Sequence, residues 1–311
     1  MTTALFSHSA SQLHDPGIHH PESPHRFEAI MRALSEPVFD ELDRRESPEI
    51  GREKLHWAHT EEHVSEIMRA IPATGYVALD GDTVVCKHSG EAALRAAGGI
   101  CAAVDAVMNK DVDNAFCLSR PPGHHAERHR AMGFCLFCNP ALGAYQARYE
   151  HGVERVAVID FDVHHGNGTQ DILWDDPNMF YGSSHESPLF PGTGSVGETG
   201  VANNILNCPL PSGGGSYEFR KAMDDYIFPA VQSFKPGLII VSAGFDAHRE
   251  DPLASINLED EDFGWVSRRI VELADELCER RLVSILEGGY NTDALARSVA
   301  LHVMALMNAT D

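Results

Sequence analysis

Six short apolar runs punctuate the chain, and five of them end in a polar motif; this order constrains the fold more than any other feature. The runs lie at 115–119, 156–162, 179–183, 205–210, 238–243 and 283–286. They are rich in Val, Ile and Leu with little alternation, as expected of strands buried on both faces of a parallel sheet. Helix-like segments fall between them, at 91–109, 140–151, 216–234, 259–281 and 292–308. Ser216 and the run Asn291-Thr292-Asp293 supply residue types that cap helix starts. Strands alternating with helices predict βαβ units, a parallel sheet and helices on both faces. The polar motifs are Arg120-Pro-Pro-Gly-His-His125, Asp160-Phe-Asp-Val-His-His-Gly166, Ser183-Ser-His185, Gly244-Phe-Asp246 and Glu287-Gly-Gly-Tyr290. Open α/β sheets place their sites at the carboxyl ends of strands, so five loops are expected to meet in one cleft.

Composition excludes several alternatives. The 311 residues carry 24 Lys and Arg against 46 Asp and Glu, a formal net charge of −22. Binding along a phosphate backbone needs clustered cations, so a nucleic-acid partner is not expected. The acidic balance fits a soluble protein, or one whose partners are cationic. A hydrophobic content of 43% with 23% charged residues describes a globular chain, not a disordered one. No stretch approaches the ~20 apolar residues needed to span a membrane, and residues 1–14 lack the pattern of a signal peptide. Seven cysteines, an odd number without a short-range framework, read as reduced thiols of a cytoplasmic protein. Cys135 and Cys138 form one Cys-x-x-Cys with no second pair, and read as core residues or supports of the site.

Asp160, Asp162 and His164 alternate, and alternate side chains of an extended chain point the same way. Two carboxylates and an imidazole at one strand end are costly to bury unless they hold a cation or are fully hydrogen-bonded. Asp246 is the obvious further contributor. Oxygen and nitrogen ligands with an open position describe a catalytic zinc; iron(II) or cobalt(II) suit the same donors. Neither Gly166 nor His248 adds an anionic ligand at matching parity, which favours a single ion. His124 and His125 can divide base and acid work if their partners differ, and Asp160 and Asn167 are candidate partners. Tyr290, after two glycines, is a plausible donor to an oxyanion. Two other classes compete. One is a metal-holding module that binds its ligand without hydrolysing it. The other is a nucleotide fold built on Gly213-Gly-Gly-Ser216, which lacks the Walker lysine and the Rossmann glycine spacing.

Taken together, Arg120-Pro-Pro-Gly-His-His125, Gly133-Phe-Cys135, Asp160 to Gln170, Phe190-Pro-Gly-Thr-Gly194, Gly244-Phe-Asp246 and Gly288-Gly-Tyr290 resemble the histone deacetylase family, including its bacterial amidohydrolases and acetylpolyamine amidohydrolases. The resemblance runs from about His19 to the last helix and looks like the class II branch. It implies an α/β arginase/deacetylase fold: one catalytic domain over residues 1–311 with a central eight-stranded parallel sheet flanked by helices. It implies a zinc ion on Asp162, His164 and Asp246, with His124 and His125 as base and acid and Asp160 and Asn167 behind them. Tyr290 would polarise the acyl carbonyl. A potassium ion would match Asp160, Asp162, His164, Ser183 and Ser184, in part through main-chain oxygens. Phe134 and Phe190 would flank a narrow acyl-lysine tunnel with Gly133 in its wall, and Asp82 would hold substrate backbone at the rim.

Departures from the family pattern bear on substrate. Ser23 stands after Pro21-Glu22 where many relatives carry arginine, which leaves an arginine role near the acetate exit open. Cys138 replaces a frequent asparagine. Leu253 occupies the place of a glutamate that selects polyamines. The expected substrate is therefore an acylated lysine peptide, with acetylpolyamines or other small N-acyl amides as the alternative; oligomeric state is left open. His185 is expected to support the site, and His14, His19, His20 and His25 to form a rim loop.

Overall fold

The computed structural model describes residues 2–307. Ten strands occur among them: β1 Thr3–Ser7, β2 Asp43–Glu46, β3 Tyr76–Ala78, β4 Val84–Cys86, β5 Asn114–Leu118, β6 Val156–Asp160, β7 Met179–Ser187, β8 Ile205–Pro211, β9 Leu238–Ala243 and β10 Leu282–Leu286. Eight pair in parallel in the order β2-β1-β5-β10-β9-β6-β7-β8, and β3 and β4 make a small antiparallel hairpin. The expected eight-stranded parallel sheet is therefore present. Its central strands β5, β6, β9 and β10 are buried along their whole length, which is why they read as continuous apolar runs.

Helices cover both faces. Ser89–Met108 and Asn139–His151 pack on one side, and Pro24–Ala33, Asp260–Cys278 and Thr292–Met307 on the other. Asn291 caps the last helix, its side-chain oxygen accepting from the Asp293 and Ala294 amides at 3.2 and 3.0 Å. The end of that segment at Asn308 lies outside the described residues.

Three expectations need correction. The segment 216–234 is not one α-helix: Ser216–Ala222 and Phe228–Phe234 are joined by a π turn at Met223–Ile227. Pro229 cannot donate to the carbonyl four residues back, and a wider turn before it relieves that clash. Ser216 does not cap; Gly215 holds that position, and the Ser216 hydroxyl donates to Asp262 at 2.5 Å. Strand β7 runs on past Ser183 to Ser187 because β8 keeps pairing with it, Ser187 opposite Pro211. Ser183 nevertheless lies opposite Asp160, the last residue of β6, and so at the depth of the site.

Candidate metal centre and active site

Beyond Asp160 the chain leaves the sheet, and this departure divides the alternating triplet. Asp162 and His164 turn towards Asp246, which β9 delivers three residues past its end. One donor atom from each of the three lies within 4.8 Å of the others. His164 Nδ1 stands 3.0 Å from Asp246 Oδ2 and 3.2 Å from Asp162 Oδ1. Ligand atoms sharing a tetrahedral zinc lie roughly 3.3–3.6 Å apart, close to these spacings. Asp160 takes another place: it accepts from the Asp162 amide at 3.1 Å, from His124 Nδ1 at 3.1 Å and from the Tyr181 hydroxyl at 3.0 Å.

The surroundings fit a cation. Asp160, Asp162, Asp246 and Glu287 are all fully buried. Burial favours the neutral imidazole of His164, but hydrogen bonds and charge from Asp162 and Asp246 outweigh it and carry its pKa up to about 10. A proton thus answers the same negative field that a metal ion would. Main-chain amides finish the carboxylates: Gly288 N–H donates to Asp162 Oδ2 at 2.7 Å and Val163 N–H to Asp246 Oδ1 at 2.9 Å. A Cβ on Gly244 would run into the Asp162 carboxylate, and one on Gly288 into Asp246. Both glycines are places where backbone approaches the donor atoms too closely for any side chain.

The two neighbouring histidines have unequal partners. His124 donates to the Asp160 carboxylate; burial disfavours its charge, but Asp162, Asp160 and Glu287 overcome this and raise it to about 10. His125 Nδ1 meets Asn167 Oδ1 at 2.8 Å, and Asn167 Nδ2 donates to Glu127 at 2.7 Å. Burial, then the charges of His124 and His164, push His125 well below the ordinary histidine range. Glu287 anchors the loop beneath by accepting from the Gly123 and His124 amides at 2.7 and 3.1 Å.

A cavity of about 230 Å³ opens above the donors, lined by Asp82, His125, Gly133, Phe134, His164, Leu189, Phe190, Leu253 and Tyr290. All five expected substrate contacts therefore lie on one pocket, together with His125 and Tyr290. The Phe134 ring stands edge-on to Tyr290 at 5.8 Å and to His20 at 4.8 Å; Phe190 stands edge-on to His125 at 5.1 Å. Asp82 sits on the turn of the β3–β4 hairpin, where its carbonyl bonds His20 Nε2 at 2.9 Å. Burial, then the charge of Asp246, holds the Tyr290 phenol well above its usual range, so it remains a donor.

Other expected residues fall as follows. His185 Nδ1 meets Ser183 Oγ at 2.9 Å and its Nε2 meets the Gly194 carbonyl at 2.9 Å, so it braces the loop that carries Phe190. Ser184 Oγ is buried without a hydrogen-bond partner among the described residues. Cys138 is buried, its Sγ 3.4 Å from Thr169 Oγ1, and Cys135 Sγ meets the Gly133 carbonyl at 3.3 Å. His14 does not belong to a rim loop: it is buried, 2.7 Å from Ser89 Oγ and 3.3 Å from Glu22.

An arginine does reach the site, three residues beyond Ser23. Arg26 is buried beside the Tyr290 ring and donates to the Gly289 carbonyl at 2.6 Å and the Glu287 carbonyl at 2.5 Å. Its charge is met by Glu22 at 3.0 Å, which also accepts from Arg120 at 2.5 and 2.8 Å. Sequence reasoning passed over this network; the four-residue spacing of Glu22 and Arg26 was its one legible sign.

Comparison with known proteins bears on the family and the fold. The family model of the histone deacetylase domain matches residues 20–306. A probable deacetylase of Archaeoglobus fulgidus is 36% identical over 317 residues, covering 100% of this chain and 88% of that protein. A histone deacetylase-like amidohydrolase of Pseudomonas aeruginosa is 39% identical over 275 residues, covering 87% of this chain and 72% of that one. The crystal structure of the HDA15 HD domain superposes with a TM-score of 0.92 at 33% identity, covering 98% of this chain and 91% of that one. The fold, the buried Asp–His–Asp cluster and these matches lead to one conclusion: the chain belongs to the histone deacetylase family.

Proposed function

We propose that this chain is a zinc-dependent deacylase that removes acetyl groups from lysine side chains. The observation that carries the reading is convergence: His125, His164 and Tyr290 line one narrow pocket, with Asp162 and Asp246 directly beneath. Asp162, His164 and Asp246 would hold the ion, whose bound form supplies Lewis-acid polarisation of an acyl carbonyl and an acidified water.

The chain's own groups account for the remaining work. His125, neutral and with Nδ1 engaged by Asn167, presents Nε2 as proton acceptor. His124, held protonated by the charges of Asp162 and Asp160, adds positive charge beside it and serves the departing amine as proton source. Tyr290 donates its phenol hydrogen to the carbonyl oxygen, an interaction that strengthens as negative charge develops there. Phe134 and Phe190 sandwich an alkyl chain and exclude water. Ser183, the orphaned Ser184 hydroxyl, Asp160, Asp162 and His164 are the proposed potassium site.

Leu253 on the pocket wall favours acyl-lysine peptides over acylated polyamines, because a leucine offers nothing to a second ammonium. The seven cysteines are all free thiols, in keeping with a reducing cytoplasm. We assign the whole of residues 1–311 to one catalytic domain, acting without nucleic-acid or membrane partners. The test is Tyr290→Phe assayed on acetyl-lysine peptide and acetylspermidine. Turnover falls on the order of 10²–10³-fold, as for loss of one oxyanion donor, while peptide binding persists. Unchanged turnover removes the role of Tyr290.

A further inference from the structure

We infer that Asp251 is a positioning residue for Tyr290: with Arg26 it clamps the single peptide group that joins Gly289 to Tyr290. The inference rests on the reading of Tyr290 as the donor to the acyl oxygen. The carbonyl of that peptide accepts from Arg26 Nε at 2.6 Å, and its N–H donates to Asp251 Oδ2 at 2.7 Å. In a planar trans peptide these two groups point in opposite directions. A guanidinium and a carboxylate therefore grip opposite edges of one rigid plane, and rotation of that plane would break both contacts.

Gly288 is itself held, its N–H by Asp162 at 2.7 Å and its carbonyl by the Phe245 amide at 3.0 Å, so the freedom that the clamp removes is that of the Gly289 joint. Gly288 and Gly289 precede Tyr290, and Gly289 has a φ of 121° that other residues rarely adopt. Rotation at that joint would carry the phenol away from the metal donors. Both jaws are themselves anchored. Arg26 is buried against Glu22 at 3.0 Å and the Glu287 carbonyl at 2.5 Å. Asp251 accepts from the Leu253 amide at 3.0 Å through its other oxygen, and its own amide donates to the His248 carbonyl at 2.8 Å.

Asp251 makes no salt bridge among the described residues; its side-chain hydrogen bonds are to main-chain amides, that of Asn291 included at 3.4 Å. A buried carboxylate without a cation is costly. Three amides drawn from two loops make that cost intelligible. They join the loop after β9, which carries Asp246 and Leu253, to the loop after β10, which carries Tyr290. One carboxylate thereby fixes the phenol relative to a metal donor and to the pocket wall.

The test is a double-mutant cycle on the metal-loaded enzyme with acetyl-lysine peptide. Asp251→Ala is made in the wild-type and Tyr290→Phe backgrounds. Alone it should lower kcat on the order of 10²-fold with KM little moved, since a misplacement near 1 Å costs about that much. In the Tyr290→Phe background it should cost less than about twofold, within ordinary additivity. Asp251→Asn keeps one acceptor oxygen, should recover part of the rate, and carries the same cycle if Asp251→Ala does not fold. Equal losses in both backgrounds would overturn the clamp while leaving the role of Tyr290 intact, as would a rise in KM at unchanged kcat. Full activity of Tyr290→Phe alone would instead overturn the reading on which the clamp rests.

Discussion

His125 Nδ1 lies 2.8 Å from Asn167 Oδ1, and the amide cannot be turned round without losing the 2.7 Å bond from Asn167 Nδ2 to Glu127. The ring hydrogen is therefore on Nδ1, and Nε2 is left as acceptor towards the pocket. His124, one residue away, is paired with a carboxylate instead. Two adjacent imidazoles thus differ in proton affinity: burial and the charges of His124 and His164 depress His125, the charges of Asp162, Asp160 and Glu287 raise His124, and a neutral amide in place of a carboxylate leaves His125 without such an offset. Asn167→Asp should narrow that difference. A carboxylate favours the imidazolium, so the pKa of His125 rises and the base is protonated over more of the working range. The acid limb of the kcat/KM profile should move to higher pH, read directly from a pH–rate series. An unmoved limb would remove His125 from the role of base.

Gly244 tests the metal cradle without touching a donor. A Cβ there meets the Asp162 carboxylate, so Gly244→Ala should displace it. Disturbing groups around first ligands costs about 10–100-fold in metal affinity. Competition with a chelating dye measures the loss, and the far-ultraviolet circular dichroism should stay as in the parent.

Glu22 is the hub of the buried ion network. Burial disfavours its charge, yet Arg120, His14 and Arg26 hold it well below the usual carboxylate range. Removing one partner of a buried pair costs about 3–5 kcal/mol, which is the loss expected for Glu22→Gln in denaturant unfolding at neutral pH. The sign of the pH effect follows from the depressed folded value. Between that value and about 4.3 the unfolded chain binds the extra proton, so the contribution is present above this window and is lost as pH falls through it. Glu22→Gln should therefore show a shallower acid dependence of stability than the parent.

Leu253 offers a test of selectivity. Leu253→Glu places a carboxylate on the pocket wall. A pair at 4 Å in water is worth about 1 kcal/mol, or about fivefold in kcat/KM for acetylspermidine relative to acetyl-lysine peptide. Salt should reduce the gain. A ratio that does not move would mean that selectivity lies elsewhere on the rim.

What could be read from the sequence follows from how each element is stabilised. The central strands were legible because both their faces are buried. Edge strand β2 was not: Asp43, Arg44, Arg45 and Glu46 carry no apolar signal, and the strand exists through main-chain pairing with β1. The hairpin that carries Asp82 was hidden for the related reason that its two strands have three residues each. Asp162, His164 and Asp246 stood out because each lies at a fixed offset from a strand end. Arg26 and Asp251 did not, because a charged residue in a sequence reads as surface until its partner is placed. The split between Asp160 and Asp162 was equally invisible, since it depends on where β6 stops.

The most direct measurement is a zinc titration of chelator-treated protein, followed by deacetylation of an acetyl-lysine peptide. The stripped protein should show no turnover, and activity should rise linearly and saturate at about one ion per chain, with cobalt also restoring it. Turnover by the stripped protein, or activity that ignores added zinc and cobalt, would contradict metal dependence.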